Sequence, residues 1–204
     1  MDSGCPTRII ARSGRLTRGR REANNVGRVH VNEKNLIDRC RAGERDAQRH
    51  LFEQTSPRVY RLLLRMTGNP DDAADLTQET YVKGFQRLAQ FNGRCTAGTW
   101  FFRIAVNEAL QLRRRRKLGV SKLRALALSQ PTASEGPEAD LLLDLEAALA
   151  ELTPHDRALL LLRYQEELDY RGIAEILECV EGAVASRLNR ARQRLRAVLR
   201  KGYG

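Results

Sequence analysis

The residues near the C-terminus of this chain have the types and spacing of a surface that contacts DNA. Arginine and asparagine side chains match the edges of bases, and arginine also binds phosphate oxygens. Residues 182–204 hold seven basic side chains and no acidic one. We expect base contacts first and phosphate contacts later along this segment, from Ser186, Arg187, Asn189, Arg190, Arg192 and Arg194.

Two helices and a short turn must position these side chains. The sequence predicts a short helix over about residues 170–177, a turn at 178–180 and a long helix over about 181–199. This arrangement is a helix-turn-helix, in which the early residues of the second helix reach base edges. The apolar residues expected to pack the two helices together are Ile173, Ala174, Leu177, Val184 and Leu188.

Charge is concentrated in short blocks. The 204 residues carry 36 Lys and Arg against 25 Asp and Glu, a formal net charge of +11. Residues 113–134 hold seven basic groups and no acidic one, whereas residues 135–181 hold thirteen acidic and three basic groups. A basic excess favours an anionic partner, nucleic acid first and a membrane surface second. A run of about 18 apolar residues and a secretory signal are both missing, so we expect no membrane insertion and a cytoplasmic location.

Residues for catalysis or metal binding do not form a motif in this sequence. Cys5, Cys40, Cys95 and Cys179 are far apart and make no C-x-x-C pair, which favours reduced thiols. The sequence holds no Gly-rich phosphate loop, metal-ligand cluster or nucleophile motif. We therefore expect a protein that is not an enzyme and that carries no cofactor and no metal.

Helical periodicity predicts an all-α protein of two small helical domains joined by a flexible linker. Residues 1–32 lack apolar periodicity, and we expect them to form a disordered basic arm. The first domain is expected over residues 33–117 and the second over residues 139–204. Residues 118–138 are rich in Ser, Thr, Gly and Pro and are expected to be the linker.

Local signals predict the helices within each domain. In the first domain they indicate helices over about residues 33–41, 47–66, 70–89 and 99–117, with a loop at 91–98. Pro57 either kinks the second helix or starts a new one, and Asn69 is expected to cap the third. In the second domain they indicate a helix over about 139–151 and another after Thr153, where Asp156 can complete a capping box.

Two blocks of the sequence resemble a known family, the bacterial RNA polymerase sigma factors of the extracytoplasmic-function (ECF) type, within the sigma-70 family. Its region 4 is similar to residues 148–196, ALAELTPHDRALLLLRYQEELDYRGIAEILECVEGAVASRLNRARQRLR. Its region 2 is similar to residues 69–117, NPDDAADLTQETYVKGFQRLAQFNGRCTAGTWFFRIAVNEALQLRRRRK, with residues 33–68 as its start. The order of the blocks and the linker between them also match, over about three-quarters of the chain.

The resemblance implies a factor that binds core RNA polymerase, recognises the −35 and −10 promoter elements and promotes DNA melting. It implies docking on the β′ clamp helices of the polymerase through Asp75, Gln78 and Glu79. Further partners that it implies are the polymerase β flap and an anti-sigma factor. The −35 element would meet the C-terminal helix, and the −10 element would meet Phe91, Asn92, Arg94, Thr96, Asn107, Arg113 and Arg114.

The helix-turn-helix departs from the family pattern at three positions. Glu178 stands where a Gly is usual, Ala183 where a Thr is common, and Ala185 where a Lys or Arg is usual. These changes leave the promoter sequence open.

Two other functions are compatible with a helix-turn-helix and a basic charge. One is a stand-alone regulator that binds DNA without polymerase, and the other is a protein-interaction adaptor whose basic blocks are incidental. The face at Asp75, Gln78 and Glu79 and the loop at 91–98 favour a sigma factor, because a simple repressor needs neither.

Overall fold

A computed structural model describes residues 33–119 and 145–202, and within these ranges the chain forms helices and no strand. The expected basic arm, Cys5, most of the expected linker and the start of the second domain lie outside the described residues. None of the helices in the described ranges has the length and apolar character needed to cross a membrane.

Four helices form the first unit, which we call the N-terminal bundle. They are α1 (33–41), α2 (Arg45–Thr67), α3 (Pro70–Gln86) and α4 (Ala97–Gly119), with a 3₁₀ turn at Leu88–Gln90. Their apolar faces bury a shared core that includes Leu62, Phe101 and Val106. Helices α3 and α4 approach closely at Gly84, where any Cβ atom would collide with the ring of Phe101.

Local sequence signals set the ends of these helices. Gly68 ends α2 with a φ of 72°, and the side chain of Asn69 accepts a hydrogen bond from the Asp72 amide at 2.9 Å, which confirms the predicted break. Helix α2 continues through Pro57 as one helix, so Pro57 does not start a new one. Pro57 and Glu53 are both exposed, so water can reach the Glu53 carbonyl that Pro57 leaves without an amide partner.

The second unit, the C-terminal bundle, contains α5 (145–151), α6 (Pro154–Tyr164), α7 (Tyr170–Ile176) and α8 (Glu181–Gly202). Helices α7 and α8 form the predicted helix-turn-helix, and Ile173, Ala174, Val184 and Leu188 are buried between them. The all-α fold with two helical domains is confirmed. Thr153 caps α6 by accepting from the Asp156 amide at 3.2 Å. The predicted capping box is wrong, because the Asp156 carboxylate pairs with Arg194 of α8.

The two bundles pack against each other through α2 and α4 on one side and α6 and α7 on the other. Arg58 of α2 donates from Nε to Oε2 of the buried Glu166 at 2.9 Å and from Nη2 to the Glu166 carbonyl at 3.3 Å. Its guanidinium also lies 5.3 Å from the ring centroid of Phe102. An ion pair with one buried carboxylate therefore joins residues that are 108 positions apart.

A buried arginine completes this contact. Arg157 of α6 is 2% exposed and donates from Nη1 to the Met66 carbonyl of α2 at 3.0 Å and from Nε to the Leu149 carbonyl at 2.6 Å. Its Nη2 has no hydrogen-bond partner among the described residues. Burial, together with the charge of Arg113, lowers the pKa of Arg157 to about 10. The joint between the bundles thus contains a cation that carbonyl groups satisfy only in part.

Candidate DNA and polymerase interfaces

A groove of about 620 Å³ lies where the loop at 91–98, the first turns of α4 and the end of α7 meet. Helix α7 contributes Glu175 and Ile176, and the turn after it contributes Glu178. The side chains with which the N-terminal bundle lines the groove are mostly polar, with four cations and one carboxylate, and include Lys83, Arg87, Asn92, Arg94, Trp100, Arg103, Asn107 and Glu108.

Two hydrogen-bonding groups in this groove have no partner within the described ranges. The amide of Asn107 is half-buried and makes no hydrogen bond there, and the indole N–H of Trp100 is buried and also unpaired. Buried polar groups in proteins are almost always hydrogen-bonded. The Asn107 amide, left free in the groove, is suited to the edge of a ligand with its own donors and acceptors, whereas the Trp100 N–H is buried in the groove wall.

The loop at 91–98 is shaped by its own polar side chains. Asn92 Oδ1 accepts a hydrogen bond from the Arg94 amide at 3.1 Å, and Gly93 between them has a φ of 71°. Thr96 Oγ1 accepts from the Thr99 amide at 3.1 Å and so caps α4. Helix α4 therefore begins at Ala97, two residues before the predicted start. The Asn92 amide nitrogen and the Arg94 guanidinium stay exposed on the loop.

Phe91 was expected to contact the −10 element, and the structure places its ring in the core. The residue is 7% exposed and its ring meets that of Trp100 edge-on, with centroids 5.8 Å apart and planes at 71°. Its carbonyl accepts a hydrogen bond from Arg41 of α1. In this arrangement the buried ring packs against Trp100 from the core side and is not available for stacking on a base.

The basic run at the end of α4 divides into paired and unpaired cations. Arg113 is half-buried and donates to the Met66 carbonyl at 3.3 Å, and burial, with the charge of Arg116, lowers its pKa. Arg116 makes a two-pronged ion pair with Asp72 at 2.6 and 2.7 Å. Arg114 and Arg115 are exposed and have no partner within the described ranges. Of the two predicted phosphate contacts, Arg114 is therefore free to bind an anion and Arg113 is engaged.

The predicted polymerase-binding residues lie on α3. Asp75 and Gln78 are exposed, whereas Glu79 pairs with Lys83 at 2.6 Å. Lys83 also pairs with the buried Glu108 of α4 at 2.8 Å. Burial alone would lower the pKa of Lys83, but its contacts with Glu108 and Glu79 outweigh this effect and raise it. Lys83 thus holds one edge of the acidic α3 face, defined by Asp75, Gln78 and Glu79, against α4.

The predicted −35 residues lie on α8, and all are exposed. The opposite side of the helix carries the buried Val184, Leu188 and Ala191. Arg194 differs from the others, since its guanidinium pairs with Asp156 of α6. The side chains without an ion-pair partner are Ser186, Arg187, Asn189, Arg190 and Arg192.

Sequence reasoning missed Arg103. It is exposed, lies in the groove and donates from Nη2 to Oε1 of Glu178 at 2.8 Å. Trp100, Arg103 and Asn107 are spaced by three and four residues, which places them on one face of a helix. That spacing was the available signal, and the many apolar residues of α4 concealed it.

The cysteines of the described ranges, Cys40, Cys95 and Cys179, are free thiols. Cys95 lines the groove, and burial raises the pKa of its thiol, with further contributions from the charges of Glu175 and Glu33. Within the described ranges no group of three or more His, Cys, Asp or Glu side chains is placed to hold a metal ion.

Comparison with protein families identifies both bundles. The Sigma-70 region 2 family matches residues 51–118, and the Sigma-70 region 4 family matches residues 142–195. Together the two matches cover more than half of the chain. The chain therefore belongs to the sigma-70 family of RNA polymerase sigma factors.

Similar proteins specify the type. The ECF sigma factor SigE of Mycolicibacterium smegmatis is 38% identical over 74% of this chain, a segment that spans 61% of the relative's length. The ECF sigma factor SigW of Bacillus subtilis is 28% identical over 82% of this chain and 96% of its own. The sigma-H factor of Pseudomonas aeruginosa is 31% identical over 79% of this chain and 90% of its own length. The protein is an ECF sigma factor, and it recognises promoters and initiates transcription with RNA polymerase.

Solved structures show the same fold. CnrH, in complex with the cytosolic domain of CnrY, matches 83% of this chain with a TM-score of 0.64 at 22% identity, over 97% of its own length. The sigma factor RpoE of Bartonella quintana, in complex with the anti-sigma factor NepR, matches 74% of this chain with a TM-score of 0.61 at 24% identity, over 96% of its length.

Proposed function

We propose that this protein divides promoter recognition between its two bundles. Region 2, over residues 33–117, binds core polymerase and the melted −10 strand. Region 4, over residues 139–204, binds the −35 duplex. Residues 118–138 form the linker between them. The observation that supports this division is the separation of two unlike surfaces, a groove with free hydrogen-bonding groups and a helix with exposed cations.

The groove suits an unpaired base. Proteins read an extruded base by hydrogen bonds to its Watson–Crick edge within a shaped pocket. The Asn107 amide supplies such a group, Asn92 and Arg94 line the same groove, and Thr96 is exposed on the loop at 91–98. The exposed Arg114 is free to bind a strand phosphate. Phe91 supports the pocket from the core, and Arg113 supports the end of α4.

Helix α8 suits duplex DNA. Its early exposed residues Ser186, Arg187, Asn189 and Arg190 can reach base edges, while Arg192 can hold a phosphate. Arg194 contributes to DNA binding only after it leaves Asp156. The exposed Asp75 and Gln78, with Glu79, are proposed to dock on the β′ clamp helices, and region 4 on the β flap.

The remaining partners follow from the relatives. CnrH and RpoE are each recorded in a complex, RpoE with an anti-sigma factor, and we propose an anti-sigma partner for this chain as well. Polymerase carries out the catalysis, so this chain needs no active site of its own and acts in the cytoplasm where polymerase is found.

The test is transcription in vitro from genomic promoter fragments with core polymerase, with and without this protein. We expect specific transcripts only when the protein is present. The Arg190→Ala variant should lose initiation at promoters that depend on the −35 element, whereas Arg200→Ala, which removes an exposed arginine beyond the predicted −35 residues of the same helix, should not. Tight binding to duplex sites with no initiation would instead identify a stand-alone regulator.

A further inference from the structure

The two bundles meet at the groove proposed for the −10 strand. Arg103 on α4 has one ion-pair partner within the described ranges, the carboxylate of Glu178, at 2.8 Å. Glu178 belongs to the helix-turn-helix, and Glu175 and Ile176 line the same groove from α7. Region 4 therefore covers one side of the proposed −10 site, while the exposed face of α8 stays open to solvent.

Glu178 is held in an unusual backbone conformation at this contact. Its φ is 50°, in the left-handed region that favours glycine, so a non-glycine residue there costs free energy. The side chain that a glycine would lack is the one that reaches Arg103. A carboxylate on an exposed arginine in a DNA groove occupies the place that a phosphate oxygen would take, because both anions pair with guanidinium in the same way.

This closed arrangement cannot serve both promoter elements at once. By their numbering, the −35 and −10 elements lie about 25 base pairs apart, which is about 85 Å of duplex at 3.4 Å per base pair. A helix of 22 residues such as α8 is only about 33 Å long, and the two bundles are in direct contact. The bundles must separate before the protein engages a whole promoter.

The joint combines a buried contact, between Arg58 and Glu166, with a weaker one at the groove. The ion pair between Arg103 and Glu178 is exposed on both sides, and such pairs contribute little stability in water. Arg157 is buried in the joint with an unpartnered Nη2, and burial of an incompletely paired cation opposes closing. At the groove, the closed arrangement is therefore held by a weak contact that another anion can replace.

We propose that Arg103 is a further DNA-binding residue that contacts a phosphate of the −10 strand, and that Glu178 is its built-in competitor. In the free protein Glu175 of α7 and Glu178 of the turn after it line the groove. Single-stranded DNA displaces them, with a phosphate replacing the Glu178 carboxylate on Arg103. The inference rests on the proposed function of the groove.

Two substitutions on the same ion pair test this, because they predict opposite effects. Glu178→Gln and Arg103→Gln both break the pair. Glu178→Gln should speed alkylation of the Cys95 thiol, measured by mass spectrometry in the intact protein. Arg103→Gln also removes a cation that lowers the pKa of this thiol, so alkylation is compared only between the wild type and Glu178→Gln. Affinity for short single-stranded DNA of random sequence, measured by fluorescence anisotropy, should distinguish the two variants. Glu178→Gln should bind about two- to fivefold more tightly, the range of an exposed ion pair. Arg103→Gln should bind more weakly than the wild type.

Glu167→Gln is the matched control. Glu167 is an exposed acid of region 4 that also has a positive φ, of 56°, but it does not line the groove. Its substitution removes the same charge at a site outside the groove. Glu167→Gln should therefore change Cys95 alkylation and DNA affinity less than Glu178→Gln does. Circular dichroism on each variant checks that the helices are intact.

Several outcomes would overturn the inference. Wild-type alkylation and affinity in Glu178→Gln would show that no competition exists. An Arg103→Gln variant that binds as tightly as Glu178→Gln would show that Arg103 holds no phosphate. If the wild-type protein initiates transcription with core polymerase but either of these contradicting outcomes is observed, the inference alone fails. If it never initiates transcription, the proposed function fails, whatever happens at Cys95.

Discussion

At the residue scale, several side chains have a partner or position that the sequence does not reveal. Phe91 and Arg113 look like surface residues from their place in the sequence, yet one ring is in the core and one guanidinium binds a helix-end carbonyl. The burial of Phe91 depends on the position of Trp100, and the contact of Arg113 depends on the position of the Met66 carbonyl, and both positions are set by tertiary packing. Asn107 could be singled out from the sequence as a candidate because an amide on an apolar helix face needs a partner or a ligand.

Asn107 gives the first prediction at this scale. Asn107→Ala should impair promoter opening about two- to tenfold, the value of one hydrogen bond, and leave the closed complex nearly unchanged. Permanganate reactivity of unpaired thymines measures opening, and footprinting on duplex DNA measures the closed complex. Asn35→Ala, on the exposed side of α1, is the control and should affect neither. An equal loss in both steps would remove Asn107 from the pocket.

Tyr81 gives a pH-dependent prediction. Its hydroxyl lies 2.6 Å from Thr55 Oγ1, and burial raises its pKa to about 12. In the unfolded chain the phenol ionises near its ordinary value of about 10, so Tyr81 by itself should lower the free energy of unfolding by about 2 kcal/mol as pH rises from about 10 to about 12. The lowered pKa of Arg157 acts in the opposite direction over the same range, so the effect of Tyr81 is measured by comparing variants. In denaturant unfolding at several pH values, the free energy of unfolding of Tyr81→Phe should fall less, or rise more, with pH than that of the wild type and of Tyr164→Phe.

At the scale of the helix, local signals were sufficient where one residue sets an end. The sequence Gly68-Asn69-Pro70 and the pair Thr153-Pro154 predict helix starts that the structure confirms through side-chain caps. The continuity of α2 through Pro57 could not be predicted, because the missing amide hydrogen bond matters only if water cannot reach the carbonyl. Exposure of that side of α2 is a property of the packed bundle.

Gly84 gives the prediction at this scale. Alanine is a better helix former than glycine by about 1 kcal/mol, but at residue 84 its methyl group would enter the ring of the fully buried Phe101. Overpacking of this kind costs about 1–3 kcal/mol, so Gly84→Ala should lower the melting temperature. Gly182→Ala, in α8 where a Cβ meets nothing within 4 Å, should raise it or leave it unchanged. A more stable Gly84→Ala variant would contradict the packing of α3 on α4.

At the scale of the whole molecule, charge alternation along the chain gives the two bundles opposite character at their contact. The block over residues 135–181, with thirteen acidic groups, includes both Glu166 and Glu178. These two residues meet Arg58 and Arg103 of the N-terminal bundle. The sequence pattern predicted two DNA-facing basic surfaces. It did not predict the contact between the bundles, because pairs separated by 75 and 108 residues leave no local trace.

The ion pair between Arg103 and Glu178 also has a consequence for how the protein responds to proteolysis. Tethering on one chain gives two groups an effective concentration on the order of millimolar, so contacts too weak to join separate molecules can keep a tethered pair closed. A single cut between residues 119 and 145 would remove the tether, and at micromolar protein the two bundles would drift apart. A cleaved molecule would then leave its groove exposed and lose the coupling between its two DNA-binding surfaces. The intact backbone therefore takes part in controlling access to the groove.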